Sequence, residues 1–121
     1  MATAMAAGKV ITLDEVVRLL GARVLCGKDL AVRLSEVGAA DLMSDVLALS
    51  KPGMLLLTGL VSVQVIRTAI VSDLCGVVFV RGKMPGKDIL ELAWESNVPV
   101  LSTAMTMFQA AGVLYGALSG R

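Results

Sequence analysis

The sequence predicts an α/β fold, a single domain of three-layer type built on a largely parallel sheet. Two observations carry that expectation. Short unbroken aliphatic runs, MLLL at 54–57, GVVFV at 76–80 and VPVL at 98–101, read as strands covered on both faces. Segments of helical period separate them, and strands alternating with helices imply parallel pairing through right-handed crossovers. The plan is clearest over residues 75–103, CGVVFVRGKMPGKDILELAWESNVPVLST, which reads as strand, Gly-rich loop, amphipathic helix, strand and two hydroxyl residues.

Taken in order, Thr12 with Glu15 three residues on is a capping box, and Leu13, Val16, Val17 and Leu20 follow at helical spacing up to a Gly21 cap. Residues 23–26 read as a short strand and 27–29 as a turn. Residues 32–39 read as one further strand, with Val32 and Leu34 on one face and Arg33 and Ser35 on the other. Asp41 or Ser44 opens a short helix through Leu42, Val46 and Leu49, which Pro52 and Gly53 end. After the strand at 54–57, residues 62–74 are rich in Val and Ile. Only Val61, Val63 and Val65 alternate as a strand would, so length decides for a helix with Val63, Ile66, Ile70 and Leu74 inward and Gln64, Arg67, Thr68 and Ser72 outward. The strand at 76–80 leads to a helix at 87–95 with Ile89, Leu92 and Ala93 inward. The strand at 98–101 leads to a last helix at 104–118.

Composition narrows the function classes. A chain of 121 residues is one domain by size, with residues 1–9 expected as a flexible tail lacking the features of a signal peptide and 10–121 as the folded unit. Net charge is +1 with both signs scattered, which argues against a nucleic-acid surface. Without histidine there is no Ser-His or Cys-His pair. Two cysteines without a CxxC spacing do not supply a zinc site. Cys26 and Cys75 read as reduced core residues in a cytoplasmic protein, with a disulfide as the alternative. The uncharged stretch at 98–120 is long enough to span a bilayer, but Pro99, Ser102, Thr103, Thr106 and Gln109 interrupt it, so no membrane span is expected. Apolar residues at 56%, with 3% aromatic, point to buried contacts between subunits, a dimer or higher.

The strings DLMSDVLALSKPGMLLLTG, DLCGVVFVRGKMPGKDI and NVPVLSTAMTMFQAAGVLYGAL resemble the DRTGG domain family over nearly the whole chain after the tail. The most specific pieces are LMSDV at 42–46 and PVLST at 99–103. The literal Asp-Arg-Thr-Gly-Gly signature is absent, and the corresponding region is LSEVGAA at 34–40. The resemblance implies a fold similar to the N-terminal domains of HPr kinase/phosphorylase and of Mur ligases, and a regulatory or ligand-sensing role. It implies no kinase activity, because no G-x-x-x-x-G-K-[ST] string is present.

Ligands of open parallel sheets lie beyond the strands' carboxyl ends. Those ends carry Thr58 and Gly59, then Arg81, Gly82 and Lys83, then Ser102 and Thr103, a set whose hydroxyls, cations and backbone donors fit a small phosphate-bearing or nucleotide-like anion. On the structural alternative, Ser102 or Thr103 caps the last helix and the cations are solvated turn residues. Asp41 and Asp45 share a helix face, but Asp41 reads better as that helix's cap than as an acid-base partner. In the last helix Gly112 and Gly116, with Met107, Leu114 and Leu118, form an uncharged surface for a second subunit or for close packing within the chain. Leu90 and Trp94 extend that surface. The expectation is therefore a non-enzymatic, cofactor-free module that self-associates and binds a small anion. The alternative is an adaptor docking a partner protein through its apolar helices.

Overall fold

The computed structural model describes residues 9–120. Five strands form the main sheet: β2 (Arg23–Cys26), β4 (Val37–Ala39), β5 (Leu55–Thr58), β6 (Gly76–Phe79) and β7 (Val100–Ser102). Their order is β2-β7-β6-β5-β4. β4 to β7 are parallel, and β2 joins antiparallel at one edge. Helices α2 (Met43–Leu49), α3 (Val63–Val71) and α4 (Lys87–Glu95) cover one face. Helices α1 (Leu13–Leu20) and α5 (Met107–Leu118) cover the other.

Double coverage explains the aliphatic runs. Every residue of β5, β6 and β7 is buried, and alternate residues feed opposite cores. Leu56, Val77, Phe79 and Val100 pack under α2 to α4, while Leu55, Leu57, Val78 and Leu101 pack under α1 and α5. Each fully buried Leu or Phe contributes roughly 1.5–3 kcal/mol of transfer free energy, so the middle strands hold the three layers together.

The first helix follows its sequence signals. Thr12 and Glu15 close a capping box, and Gly21 ends α1 in the left-handed conformation at φ 58°. Several expectations need correction. Residues 32–39 do not form one strand. β3 (Arg33–Leu34) pairs antiparallel with the short β1 (Ile11–Thr12) as a separate ribbon, and the chain then switches at Ser35 and Glu36 to pair as β4 with β5. Leu34 drives the break, because it is buried with Ile11 in the core under α1.

In α3 the buried stripe is Val65, Ile66, Thr68 and Ala69, and Ile70 is exposed. Aliphatic residues on several sides make more than one stripe available, and the small Ala69 joins the core on that face. α5 begins at Met107, not Ala104, because Thr106 and Gln109 form a second capping box. Nor is α5 buried on all sides. Only Ala110 and Leu114 are buried, while Phe108 is 88% and Tyr115 69% exposed.

The expected tail falls mostly on residues 1–8, outside the described region. Lys9 is not part of a tail, since its N–H donates to the Leu118 carbonyl at 2.7 Å. Both cysteines are free thiols. Among the described residues no helix is long and apolar enough to cross a membrane.

Candidate functional site

Register places Thr58 beside Phe79 and Phe79 beside Ser102, so β5, β6 and β7 end level and their following loops share one edge. All seven residues expected there come together and are tied by hydrogen bonds. The Lys83 ammonium donates to the Gly59 carbonyl at 2.8 Å, and the Ser102 hydroxyl donates to the Lys83 carbonyl at 2.9 Å. The Gly82 N–H donates to the Thr103 carbonyl and the Arg81 N–H to the Met105 carbonyl, both at 2.8 Å. Arg81 and Gly82 are both left-handed, at φ 60° and 69°. In that conformation their two amides reach across to the loop after β7.

The hydroxyls are committed to the fold. Thr58, Ser102 and Thr103 are buried. Thr103 donates to the Leu20 carbonyl at the end of α1 (2.8 Å) and accepts from the Met105 N–H (3.2 Å). Neither Ser102 nor Thr103 caps the last helix, since Thr106 does. Asp41 does not cap α2 either. Leu42 holds that position with no side-chain bond, and one oxygen of Asp41, Oδ1, accepts from the Gly59 N–H at 2.7 Å and the Thr58 hydroxyl at 3.2 Å. The strand end thus gains a carboxylate from a loop 17 residues earlier, a placement that no local sequence signal announces.

Arg81, Gly82 and Asp41 are exposed and Lys83 is half-buried. A Cβ built on Gly59 would lie 3.3 Å from Arg81 Nη2 and 3.4 Å from Asp41 Oδ1. The guanidinium and the carboxylate therefore flank the bare glycine, yet they form no ion pair. Guanidinium and ammonium groups recognise phosphate or carboxylate, and a carboxylate accepts from hydroxyls or amines. Asp45, in the first turn of α2, takes no part in this network.

Two cavities lie elsewhere. One of about 270 Å³ sits where β6 and β7 begin, at the opposite edge of the sheet, with Cys26, Lys28, Cys75 and Trp94 among its lining residues. A shallower groove of about 690 Å³ runs between β2 and α4 and shares Cys26 and Trp94 with it. Neither is lined by Asp45, Arg81 or Lys83. Lys28 Nζ stands 4.7 Å above the Trp94 ring. Burial pushes the Cys75 thiol up to about 11. It also raises Cys26, against a smaller opposing pull from the Lys28 charge. Of the residues around these cavities, the sequence singles out Leu90 and Trp94 as association residues and Cys26 and Cys75 only as core thiols.

The expected association residues separate into two groups. Leu90 and Trp94 are on α4, whereas Met107, Gly112, Gly116 and Leu118 are on α5 across the sheet, so the former do not extend the latter. Leu114 is 0% exposed and belongs to the core, not to an interface. A Cβ at Gly112 or Gly116 would meet nothing within 4 Å, so these glycines serve no close packing inside the chain.

Comparison with known proteins identifies the fold. A family model described as the DRTGG domain matches residues 15–117. No curated protein matches the chain. Among solved structures, the chain is similar to the CBS and DRTGG domains of the regulatory region of Clostridium perfringens pyrophosphatase, complexed with its activator diadenosine tetraphosphate. The TM-score is 0.69 at 20% identity, over 89% of this chain and 46% of that one. The chain therefore spans less than half of that structure's length, and the likeness is one of fold. The family match runs from the first helix into the last, and this chain belongs to the DRTGG domain family.

Proposed function

We propose that this chain is a non-catalytic regulatory module that senses a small phosphate-bearing anion at the carboxyl edge of β5, β6 and β7. The observation that carries the reading is the pair of cations fixed there. Arg81 is held in a left-handed conformation by backbone bonds, exposed, beside Gly59 and without an ion pair among the described residues, while Lys83 is tethered two loop positions on. Thr58, Ser102 and Thr103 hold the loops level, and Arg81, Lys83 and the free oxygen of Asp41 meet the ligand. The pyrophosphatase regulatory region, in complex with a dinucleotide polyphosphate, supports a nucleotide-like anion as the first ligand to test.

The test is calorimetry and thermal shift with diadenosine tetraphosphate, ATP and sulfate at matched ionic strength. A nucleotide at about a hundred times its Kd stabilises the folded state by about 2.7 kcal/mol. Arg81→Ala should weaken binding at least tenfold or so, the scale of one charge-assisted contact. Stabilisation no greater than sulfate gives, or an Arg81→Ala variant that binds as well, sinks the proposal.

The same reading includes self-association through α5, supported by Phe108, Gly112 and Tyr115 exposed along one uncharged helix. Light scattering on the parent and on Phe108→Glu tests it. A parent that stays monomeric at high concentration rejects self-association and favours the adaptor alternative.

A further inference from the structure

The small cavity where β6 and β7 begin is built differently from the strand-end cluster, and nothing at the strand end depends on it. Its inner wall is apolar, with Leu74, Val98 and Pro99 buried. Its mouth carries the only tryptophan of the chain, 54% exposed. At about 270 Å³ it holds one ring system and not an extended chain.

The polar side chains among its lining residues are few. Lys28 rests its ammonium over the Trp94 ring at 4.7 Å and forms no ion pair among the described residues. Asp29, the neighbouring carboxylate, spends Oδ1 on the Ala31 N–H at 2.9 Å. Asn97 is fixed at φ 57° by the end of α4, where the Val98 N–H donates to the Ala93 carbonyl at 2.9 Å. Its amide, one donor and one acceptor group, borders the same cavity.

We infer that this cavity is a second binding site, for a planar aromatic ring carrying a negative charge, with the ring against Trp94 and the charge paired to Lys28. The aromatic face and the apolar wall select the ring. The unpaired ammonium beside them selects the charge. A lysine lying on an exposed indole makes only a weak contact, so it can exchange that contact for a charge-assisted bond to an entering anion. The Lys28 charge already reaches the cavity, since it opposes the upward effect of burial on Cys26. Two sources share this chemistry, a nucleoside monophosphate and an aromatic carboxylate.

Trp94 reports directly, because no other tryptophan contributes to the emission. The intact chain is titrated with adenosine monophosphate, with benzoate, with neutral adenosine and with inorganic phosphate. Fluorescence is the readout, and calorimetry on the same mixtures detects binding that leaves the emission unchanged. The expected result is saturable binding of the nucleotide, the benzoate or both, weakened about tenfold in Lys28→Ala. Lys28 is exposed, so its loss leaves the fold intact, as circular dichroism verifies. Nucleotide alone assigns a nucleotide site, and both ligands assign a general aromatic-anion site. The inference is overturned by silence in both readouts, by phosphate or adenosine changing the Trp94 emission as strongly, or by Lys28→Ala binding like the parent. Loss in Arg81→Ala but not in Lys28→Ala would place the ligand at the strand end instead.

Discussion

Replacing Thr103 by Val removes one hydroxyl and keeps the shape. Thr103 is 1% exposed, and its oxygen is the meeting point of two elements that are distant in sequence. It donates to the Leu20 carbonyl at 2.8 Å and accepts from the Met105 N–H at 3.2 Å. Among the described residues no backbone amide outside the helices and strands donates to the Leu20 carbonyl, and Thr103 is its side-chain partner. A buried polar group left without a partner costs about 1–3 kcal/mol. The carbonyl bears most of that cost, because half-buried Met105 can turn to water. The expected loss is about 2–3 kcal/mol, or roughly 8–12 °C in Tm for a domain of this size. Thr103→Ser keeps the hydroxyl and loses one methyl, at about 1 kcal/mol. Urea denaturation and thermal melts of both variants measure the difference. A Thr103→Val protein melting within about 2 °C of the parent would refute the claim that this bond pins α1 to the end of β7.

Two further outcomes follow from the same geometry. Gly59→Ala puts a Cβ 3.3 Å from Arg81 Nη2, the tip of a flexible side chain. Stability should fall by less than about 1 kcal/mol, while anion affinity drops several-fold as the guanidinium is displaced; a stability loss without an affinity change would reverse the assignment. Burial disfavours the Cys75 thiolate and raises its pKa from the ordinary 9.0 to about 11. The unfolded chain therefore releases this proton first. The contribution is full below pH 9.0 and is lost as pH rises toward about 11, on the order of 2 kcal/mol in total. Denaturation curves at rising pH should show a decline that Cys75→Ala flattens, and an unchanged slope counts against burial as its cause.

The middle of the fold is legible because β5, β6 and β7 are buried on both faces, and such strands must be continuous aliphatic runs whatever lies around them. The capping box at Thr12 is legible because its partners are three residues apart. What fails is what depends on distant partners. Residues 32–39 look continuous until Ile11 claims Leu34 for another sheet. Asp41 has every local property of a helix cap, and only the arrival of Gly59 beside it diverts the carboxylate. The strand-end residues were identifiable from topology, but their division of labour was not. Hydroxyls that suit a ligand suit a neighbouring carbonyl equally well, and burial decides between them. The Trp94 cavity is assembled from the segment after β2, the start of β6 and the end of α4, so no contiguous stretch of sequence could reveal it.

Arg81 offers the sharpest separation of stability from function. Among the described residues, three other than glycine have positive φ: Asp73, Arg81 and Asn97. Asp73 and Asn97 follow the ends of α3 and α4, where a left-handed residue lets the next amide return to the helix, Leu74 to Ala69 and Val98 to Ala93. Their short polar side chains tolerate that conformation. Arg81 follows a strand and has a long side chain, so neither reason applies to it. Its conformation is imposed by the bonds that carry its N–H to Met105 and that of Gly82 to Thr103, and the effect is to hold the guanidinium beside Gly59. Arg81→Gly keeps both backbone bonds and relieves the strain. Glycine's greater freedom in the unfolded chain offsets part of that gain, leaving a net stabilisation of about 0.5–1 kcal/mol. The variant should therefore melt a few degrees above the parent while losing anion binding. A variant that melts lower would mean that the guanidinium supports the fold, and the strand-end cations would then be structural.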